Sequence, residues 1–263
     1  MEPFFFQGKH GRLFGVLFSP DDSATRDRVV LHVPAFAEEM NKSRPMVANF
    51  SRLLADRGIA SLIVDCMGTG DSEGQFHVAG WRGWVDDVSS ALAWLRDQGF
   101  QRFSICANRT GASLATDALH DADLTVDDFI CWQPVPKGSA YLRQFLRLRR
   151  AAEIFQTEEA ESSDDNWPLE VAGYTLTRAM SEALESIDLP GAIPKCQRAC
   201  IVEVSALPEP KLSRPCANLQ QAWQDQGVDV RSVAVSGEPF WSTLETSIND
   251  AVLRKSTEFL ADG

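Results

Sequence analysis

The sequence lacks any long apolar run and any excess of basic charge. No stretch approaches the roughly 18 consecutive apolar residues of a membrane-spanning helix, and the first residues show no basic segment followed by the apolar core of a secretion signal. There are 25 Lys and Arg against 37 Asp and Glu, a net charge of -12. Long-range electrostatics therefore repel nucleic acid and anionic membrane surfaces. We predict a cytoplasmic protein that binds no nucleic acid and does not enter a membrane.

Histidine and closely paired cysteine are also scarce. The four histidines all lie in the first half of the chain and are His10, His32, His77 and His120. Cys196 and Cys200 are four residues apart, but no histidine or second close pair joins them as a zinc site requires, and we expect the six cysteines to be buried reduced thiols. The turn at Gly68 and Gly70 lacks the third glycine of a dinucleotide-binding fingerprint. We predict neither a metal nor a cofactor.

What the chain does have is a regular alternation of short apolar runs with amphipathic segments. Over 263 residues that are 44% hydrophobic, this pattern predicts one α/β domain (1–263) with a mostly parallel sheet and helices on both faces. The predicted strands lie near Leu13–Ser19, Val29–Val33, Ile59–Asp65, Arg102–Cys106, Phe129–Trp132, Cys200–Val204 and Asp229–Val235.

Amphipathic patterns predict helices between these strands. They lie near Ser43–Arg57, Val85–Asp97, Thr110–His120, Arg178–Glu185, Ser213–Gln226 and Thr246–Leu260. The alternation breaks between Lys137 and Pro168, where a basic amphipathic stretch leads into the acidic run Glu158–Asp165. We interpret 137–168 as a small inserted cap over the sheet, and the alternative is a solvated helix followed by an acidic loop.

Several segments are more specific than a generic α/β pattern. They are Val33–Arg44 (VPAFAEEMNKSR), Val64–Gly74 (VDCMGTGDSEG), Leu169–Thr177 (LEVAGYTLT), Trp132–Val135 (WQPV) and Gly237–Trp241 (GEPFW). Together, and nearly end to end, they resemble the α/β-hydrolase-superfamily proteins called exosortase A system-associated hydrolase 2. The resemblance implies an α/β-hydrolase fold and the family label hydrolase. It also implies a bacterial gene neighbourhood that sorts proteins with a short C-terminal anchor (PEP-CTERM) and makes exopolysaccharide.

The segment Ile105–Gly111 (ICANRTG) resembles the strand-to-helix elbow that carries the nucleophile of an α/β hydrolase, with Arg109 at the nucleophile position. The resemblance implies that arginine is usual there in the family. A guanidinium stays protonated and only donates hydrogen bonds, so it cannot attack a carbonyl. Pro239 stands where the last-strand loop normally carries the general-base histidine, and Glu209 is the best available acid. We predict that serine-hydrolase activity is absent.

Arg109 begins a helix, where unpaired N–H groups and the macrodipole already favour an anion. The loop that normally supplies an oxyanion donor carries Glu38 and Glu39. Either glutamate could simply pair with Arg109, or could act as general base while Arg109 holds a carboxylate or phosphate. The catalytic candidates are Glu38, Glu39 and Arg109. The ligand-binding candidates are Phe36, Asn41, Arg44, Arg109, Trp132 and Trp241, although Arg44 could instead lie in solvent and the tryptophans could serve packing alone.

Three functions stay open. The first is a member of the superfamily that lacks the Ser-His-Asp triad and binds an anionic or acyl small molecule in exosortase- or exopolysaccharide-linked metabolism. The second is an active ester or thioester hydrolase or acyltransferase that uses a glutamate with Arg109. The third is a non-catalytic scaffold for a second hydrolase-fold protein, with Tyr141–Leu148 or an edge strand as the interface.

Overall fold

The computed structural model describes residues 1–20, 27–155 and 167–262. Within these ranges, eight strands form one sheet, and two short strands form a separate hairpin. The strands are β1 (Glu2–Gln7), β2 (Arg12–Phe18), β3 (Arg28–Val33), β4 (Ala60–Val64), β5 (Arg102–Asn108), β6 (Val126–Trp132), β7 (Leu169–Val171), β8 (Tyr174–Leu176), β9 (Cys196–Ser205) and β10 (Asp229–Ser236). All seven predicted strands are present.

The sheet has the order β1-β2-β4-β3-β5-β6-β9-β10. Strands β4, β3, β5, β6, β9 and β10 pair in parallel, whereas β1 and β2 add an antiparallel edge. The carboxyl ends of the parallel strands therefore meet at one edge of the sheet, which is where ligands bind in open α/β sheets. This architecture confirms the predicted α/β-hydrolase fold.

The described residues form seven helices. They are α1 (Glu38–Ala55), α2 (Trp81–Asp97), α3 (Gly111–Asp121), α4 (Gly138–Phe155), α5 (Arg178–Glu185), α6 (Arg214–Asp225) and α7 (Asp250–Ala261). Buried side chains of α1 and α7 pack on one face of the sheet, and those of α2, α3 and α6 belong to the larger core on the other face. Helices on both faces bury most residues of the central strands β3, β5 and β6, as a parallel sheet requires.

Three helix starts differ from the predictions. Helix α2 begins at Trp81, directly after Gly80, instead of near Val85. Helix α1 begins at Glu38 instead of near Ser43, because its two acidic residues occupy the first turn, where the macrodipole stabilises them, and the helix continues through Pro45. Helix α7 begins after Asn249 instead of near Thr246, because the Asn249 side chain accepts hydrogen bonds from the backbone N–H groups of the first turn at 3.1 and 3.2 Å.

Helix α4, the β7–β8 hairpin and α5 lie between β6 and β9. Helix α4 turns Tyr141, Leu142 and Phe145 inward, and the Phe145 ring centroid lies 5.3 Å from that of Phe36 in the loop after β3. The apolar face of α4 therefore packs on the carboxyl edge of the sheet. The acidic run Glu158–Asp165 lies outside the described residues, and the boundaries 137–168 of a cap stay a prediction.

All six cysteines are free, and five of them are buried. Burial raises the pKa of the Cys200 and Cys216 thiols to about 12, so both stay protonated at neutral pH. Across the described ranges, no helix is long and apolar enough to cross a membrane. Within the same ranges, no group of three His, Cys, Asp or Glu side chains could hold a metal ion.

Asp87 on α2 generates a prediction about pH. Its carboxylate is fully buried and accepts a hydrogen bond from the Met67 N–H at 2.7 Å, and burial raises its pKa to about 6. Since this folded-state pKa exceeds that of an unfolded aspartate, the stability contribution of Asp87 is complete below about pH 4 and is lost as the pH rises through 6.

Asp87→Asn keeps an acceptor for the Met67 N–H and removes the loss of stability at high pH. We expect it to stabilise the protein at pH 8 by about 1–3 kcal/mol, with the gain vanishing near pH 4.

Urea titrations at pH 4, 6 and 8 measure this difference. Asp97→Asn, an exposed change on the same helix, is the matched control and should shift stability equally at all three values. A gain from Asp87→Asn that does not depend on pH would contradict the burial argument.

Candidate functional site

The candidate site begins at the sharp turn between β5 and α3. Arg109 has φ 55, a left-handed conformation that is uncommon for a residue with a side chain. Its N–H donates to the Trp132 carbonyl oxygen at 2.9 Å, which holds the turn against β6. A Cβ atom added at Gly111 would lie 2.5 Å from the Pro34 carbonyl oxygen, so only glycine permits this close approach of helix and strand. The geometry is that of a nucleophile elbow.

The guanidinium of Arg109 is paired within the protein. Its Nε donates to Glu39 Oε1 at 3.1 Å, and its Nη2 lies 3.1 Å from the same oxygen. Its Nη1 donates to the Gln133 carbonyl oxygen at 3.1 Å. The side chains of Arg109 and Glu39 are only 10% and 19% exposed, so solvent screens this ion pair weakly.

Two aromatic rings flank the guanidinium. Its central carbon lies 5.0 Å from the ring centroid of Trp241 and 5.7 Å from that of Tyr141, within the range of cation–π attraction. The Tyr141 hydroxyl donates to Glu39 Oε2 at 3.1 Å. Burial and the neighbouring Glu39 carboxylate raise the pKa of Tyr141 well above its usual value, so the hydroxyl keeps the proton that it donates. We call Arg109, Glu39, Tyr141 and Trp241 the arginine clasp.

The clasp joins four separate segments. Glu39 comes from the first turn of α1, Arg109 from the elbow, Tyr141 from α4 and Trp241 from the loop after β10. Beside it, a cavity bounded by residues such as Phe36 and Thr110 measures only about 10 Å³. This is at the lower limit of the space that one water molecule needs. Arg109 itself is only 9% exposed, so its partners in the clasp cover the guanidinium.

Glu38 and Asn41 lie together outside the clasp. The Glu38 carboxylate accepts from the Asn41 amide at 3.1 Å and from the Tyr174 hydroxyl at 3.1 Å. Arg44 points elsewhere, since its Nη2 donates to Asp65 Oδ1 at 2.7 Å. Asp65 is buried and also accepts from the N–H of the following turn. The structure therefore separates these three predicted site residues from Arg109.

The two remaining candidates, Phe36 and Trp132, are almost completely buried, with 1% exposure each. Phe36 packs against aromatic rings of α2 and α4. Trp132 donates its indole N–H to Ser256 Oγ on α7 at 2.8 Å. Of the eight predicted site residues, Glu39 and Trp241 contact the Arg109 guanidinium with their side chains, and Trp132 contacts Arg109 through its backbone carbonyl. The ligand-binding and catalytic roles of all eight stay predictions.

Sequence reasoning missed two members of the site. It noted Tyr141 only as part of an amphipathic stretch and Gln133 only as part of WQPV. Gln133 has φ 45, its carbonyl accepts from Arg109, and its side chain accepts from the Val204 N–H at 2.7 Å. No local signal marks these residues, because Tyr141 and Glu39 are 102 positions apart.

The residues predicted for the other triad positions lie in loops that follow strands. Pro239 lies in the loop between β10 and α7, and Glu209 is exposed after β9. His32 lies within β3, where its Nε2 is 3.1 Å from Ser51 Oγ, and burial lowers its pKa to about 3. A neutral buried imidazole on a central strand is not a general base for the elbow.

A mostly parallel sheet with helices on both faces and a strained elbow after β5 defines an α/β hydrolase by fold. Residues 24–202 match the family model described as serine aminopeptidase, S33. Since this match covers more than half of the chain, the protein belongs to that family. Comparison with curated protein sequences finds no match.

Solved structures share the fold at low identity. Est1E from Butyrivibrio proteoclasticus, solved with bound ferulic acid, is 14% identical, with a TM-score of 0.73 and 98% of each chain covered. A highly thermostable carboxyl esterase from Bacillus coagulans is 11% identical, with a TM-score of 0.67 and 99% of this chain and 98% of that chain covered. Proline iminopeptidase from Mycobacterium smegmatis is 12% identical, with a TM-score of 0.62 and the same coverage. At these identities the likeness shows the fold alone.

The clasp generates a prediction about stability. Arg109→Met leaves the Glu39 carboxylate buried without its cation, and we expect a loss of about 3 kcal/mol. Adding Glu39→Gln to Arg109→Met removes the unpaired charge and should recover at least half of that loss. Urea unfolding of the parent, both single variants and the double variant measures the coupling.

Arg231→Met is the matched control, because Arg231 pairs with Asp262 at the surface, where both side chains are more than half exposed. We expect it to change stability by less than about 1 kcal/mol. Additive effects of the Arg109 and Glu39 variants would show that the ion pair does not hold the clasp.

Proposed function

We propose that this protein is a non-hydrolytic member of its family, in which the elbow arginine holds the fold closed where a nucleophile would act. The observation that carries this proposal is the pairing of Arg109 with Glu39 at 3.1 Å between two aromatic rings. A guanidinium has no lone pair to offer a carbonyl carbon. The elbow therefore supplies a structural cation.

The arrangement around Glu39 supports the same conclusion. A general base needs a carboxylate oxygen within hydrogen-bond reach of a substrate or water proton. Both oxygens of Glu39 already accept hydrogen bonds, one from Arg109 and the other from Tyr141. An enzyme that used Glu39 with Arg109 would first have to open the clasp. Pro239 adds no titratable group at the usual base position.

The resemblance to exosortase A system-associated hydrolase 2 supports a role in a system that sorts anchored proteins or makes exopolysaccharide. The scaffold alternative draws less support. Its proposed helix surface points inward, since Tyr141, Leu142 and Phe145 are buried and Leu148 is the large apolar residue of that stretch left exposed. We therefore favour a role that does not require a second hydrolase-fold protein.

The decisive experiment is a search for hydrolase chemistry. We expect no labelling by a fluorophosphonate probe, and hydrolysis of p-nitrophenyl esters and acyl thioesters no faster than with Arg109→Ala. Arg109→Ser alone should stay inactive, because no histidine takes the place of Pro239. An active carboxyl esterase serves as positive control. Thioester turnover that Glu39→Gln abolishes would overturn the proposal and establish the glutamate-dependent enzyme.

A second candidate function is the binding of an anionic or acyl ligand at Arg109. Its support is the position of the cation at the start of α3, where the first N–H groups of the helix add positive potential. Such a ligand has to displace the Glu39 carboxylate. Glu39→Gln removes that competitor.

The test of this candidate measures melting temperature with added acetate or phosphate. If Arg109 is an anion site, the Glu39→Gln variant should be stabilised by several degrees, the parent less, and the Arg109→Met/Glu39→Gln double variant not at all. Sodium chloride at equal ionic strength is the control for screening. Equal responses in the two Glu39→Gln backgrounds would exclude a site at Arg109.

A further inference from the structure

A second cavity lies on the other side of β5, between α1 and the sheet. It measures about 180 Å³, many times the space at the elbow. Its walls are largely apolar and include Val16, Phe18, Val47, Ile63, Cys106 and Trp132. The surrounding face of the sheet is the smaller hydrophobic core, which α1 and α7 cover.

Asn108 is the unusual residue of this cavity. Its side chain lines the space, the residue is only 3% exposed, and neither amide atom has a hydrogen-bond partner among the described residues. A buried primary amide without partners carries a desolvation penalty, and the great majority of buried polar side chains are paired. The amide therefore offers one donor group and one acceptor to whatever occupies the cavity.

His32 adds a second polar atom to the same wall. It is 3% exposed, and within the described part of the chain its Nδ1 has no partner. Burial lowers its pKa to about 3, so the ring is neutral at physiological pH. The Ser51 hydroxyl lies 3.1 Å from the other ring nitrogen, Nε2.

The charged side chains at the cavity neutralise each other. They are Arg44 and Asp65, which are paired at 2.7 Å. The other lining side chains carry no charge, so burial of a charged ligand away from the exposed Met1 terminus would be costly. For size, a dry protein cavity of roughly 150 Å³ accommodates benzene. The space therefore suits a neutral ligand of about seven heavy atoms.

We propose that this cavity is a binding site for a neutral, mostly apolar small molecule that carries one hydroxyl group. The hydroxyl donates to the side-chain oxygen of Asn108 or accepts from its NH2 group, in a cavity that His32 also lines, and the apolar body fills the space against Trp132 and Phe18. The site is independent of the arginine clasp, since it uses no clasp residue. The proposal therefore does not depend on whether Arg109 takes part in a reaction.

Phenol and toluene form a matched pair of probes, because they have nearly the same shape and differ in one hydroxyl. We expect phenol to bind the parent protein at least tenfold more tightly than toluene, as measured by calorimetry, because toluene leaves the buried amide unpaired. Chemical-shift changes in labelled protein should centre on His32 and Cys106. Asn108→Leu should erase the preference for phenol.

Val47→Trp provides a second variant that keeps the test decisive if Asn108→Leu does not fold. The new side chain fills the cavity from α1, and phenol binding should be lost. Arg52→Trp, an exposed change on the same helix, should bind phenol as the parent does. Absence of binding to the folded parent, as for a cavity that holds only water, would overturn the proposal. Equal affinity for phenol and toluene, or phenol binding that survives Val47→Trp, would do the same.

Discussion

A permanent cation stands at the strained turn between β5 and α3, and its charge has to be compensated from within the fold. An unpaired ion in such a place costs several kcal/mol. The compensation comes from Glu39 on α1 and the Gln133 carbonyl after β6, with the rings of Tyr141 and Trp241 on either side. These partners come from segments far apart in the chain. The arginine therefore ties α1, α4 and the loop after β10 to the carboxyl edge of the sheet.

The protein keeps the geometry of an α/β-hydrolase elbow and has an arginine at its turn. The left-handed φ of Arg109 and the close approach at Gly111 are features that present a nucleophile in active hydrolases. Here the same turn presents a donor-only group to a carboxylate. Membership of the serine aminopeptidase S33 family consequently fixes the fold but not the reaction.

Asn108, the last residue of β5, and Arg109, in the turn that follows it, contact different parts of the structure. Arg109 enters a clasp in which its guanidinium has polar partners and the adjoining space is about 10 Å³. Asn108 faces a space of about 180 Å³ with its amide unpaired. The polar groups of the clasp already have partners, whereas the Asn108 amide would gain one from a ligand. The cavity between α1 and the sheet is therefore the better place for a ligand to bind.

The sequence by itself determined the fold class, because apolar alternation specifies strands and helices. From Arg109 and Pro239 it also predicts the absence of a nucleophile and a general base. Only the tertiary structure decided which glutamate meets the arginine. Successive residues of a helix point about 100° apart, so a start of α1 at Glu38 directs Glu39 to Arg109 and Glu38 to Tyr174. Likewise, Tyr141 and the cavity beneath α1 depend on contacts between residues far apart in the chain. Local sequence patterns do not predict such contacts, because the contacts form only when the sheet and its helices pack together.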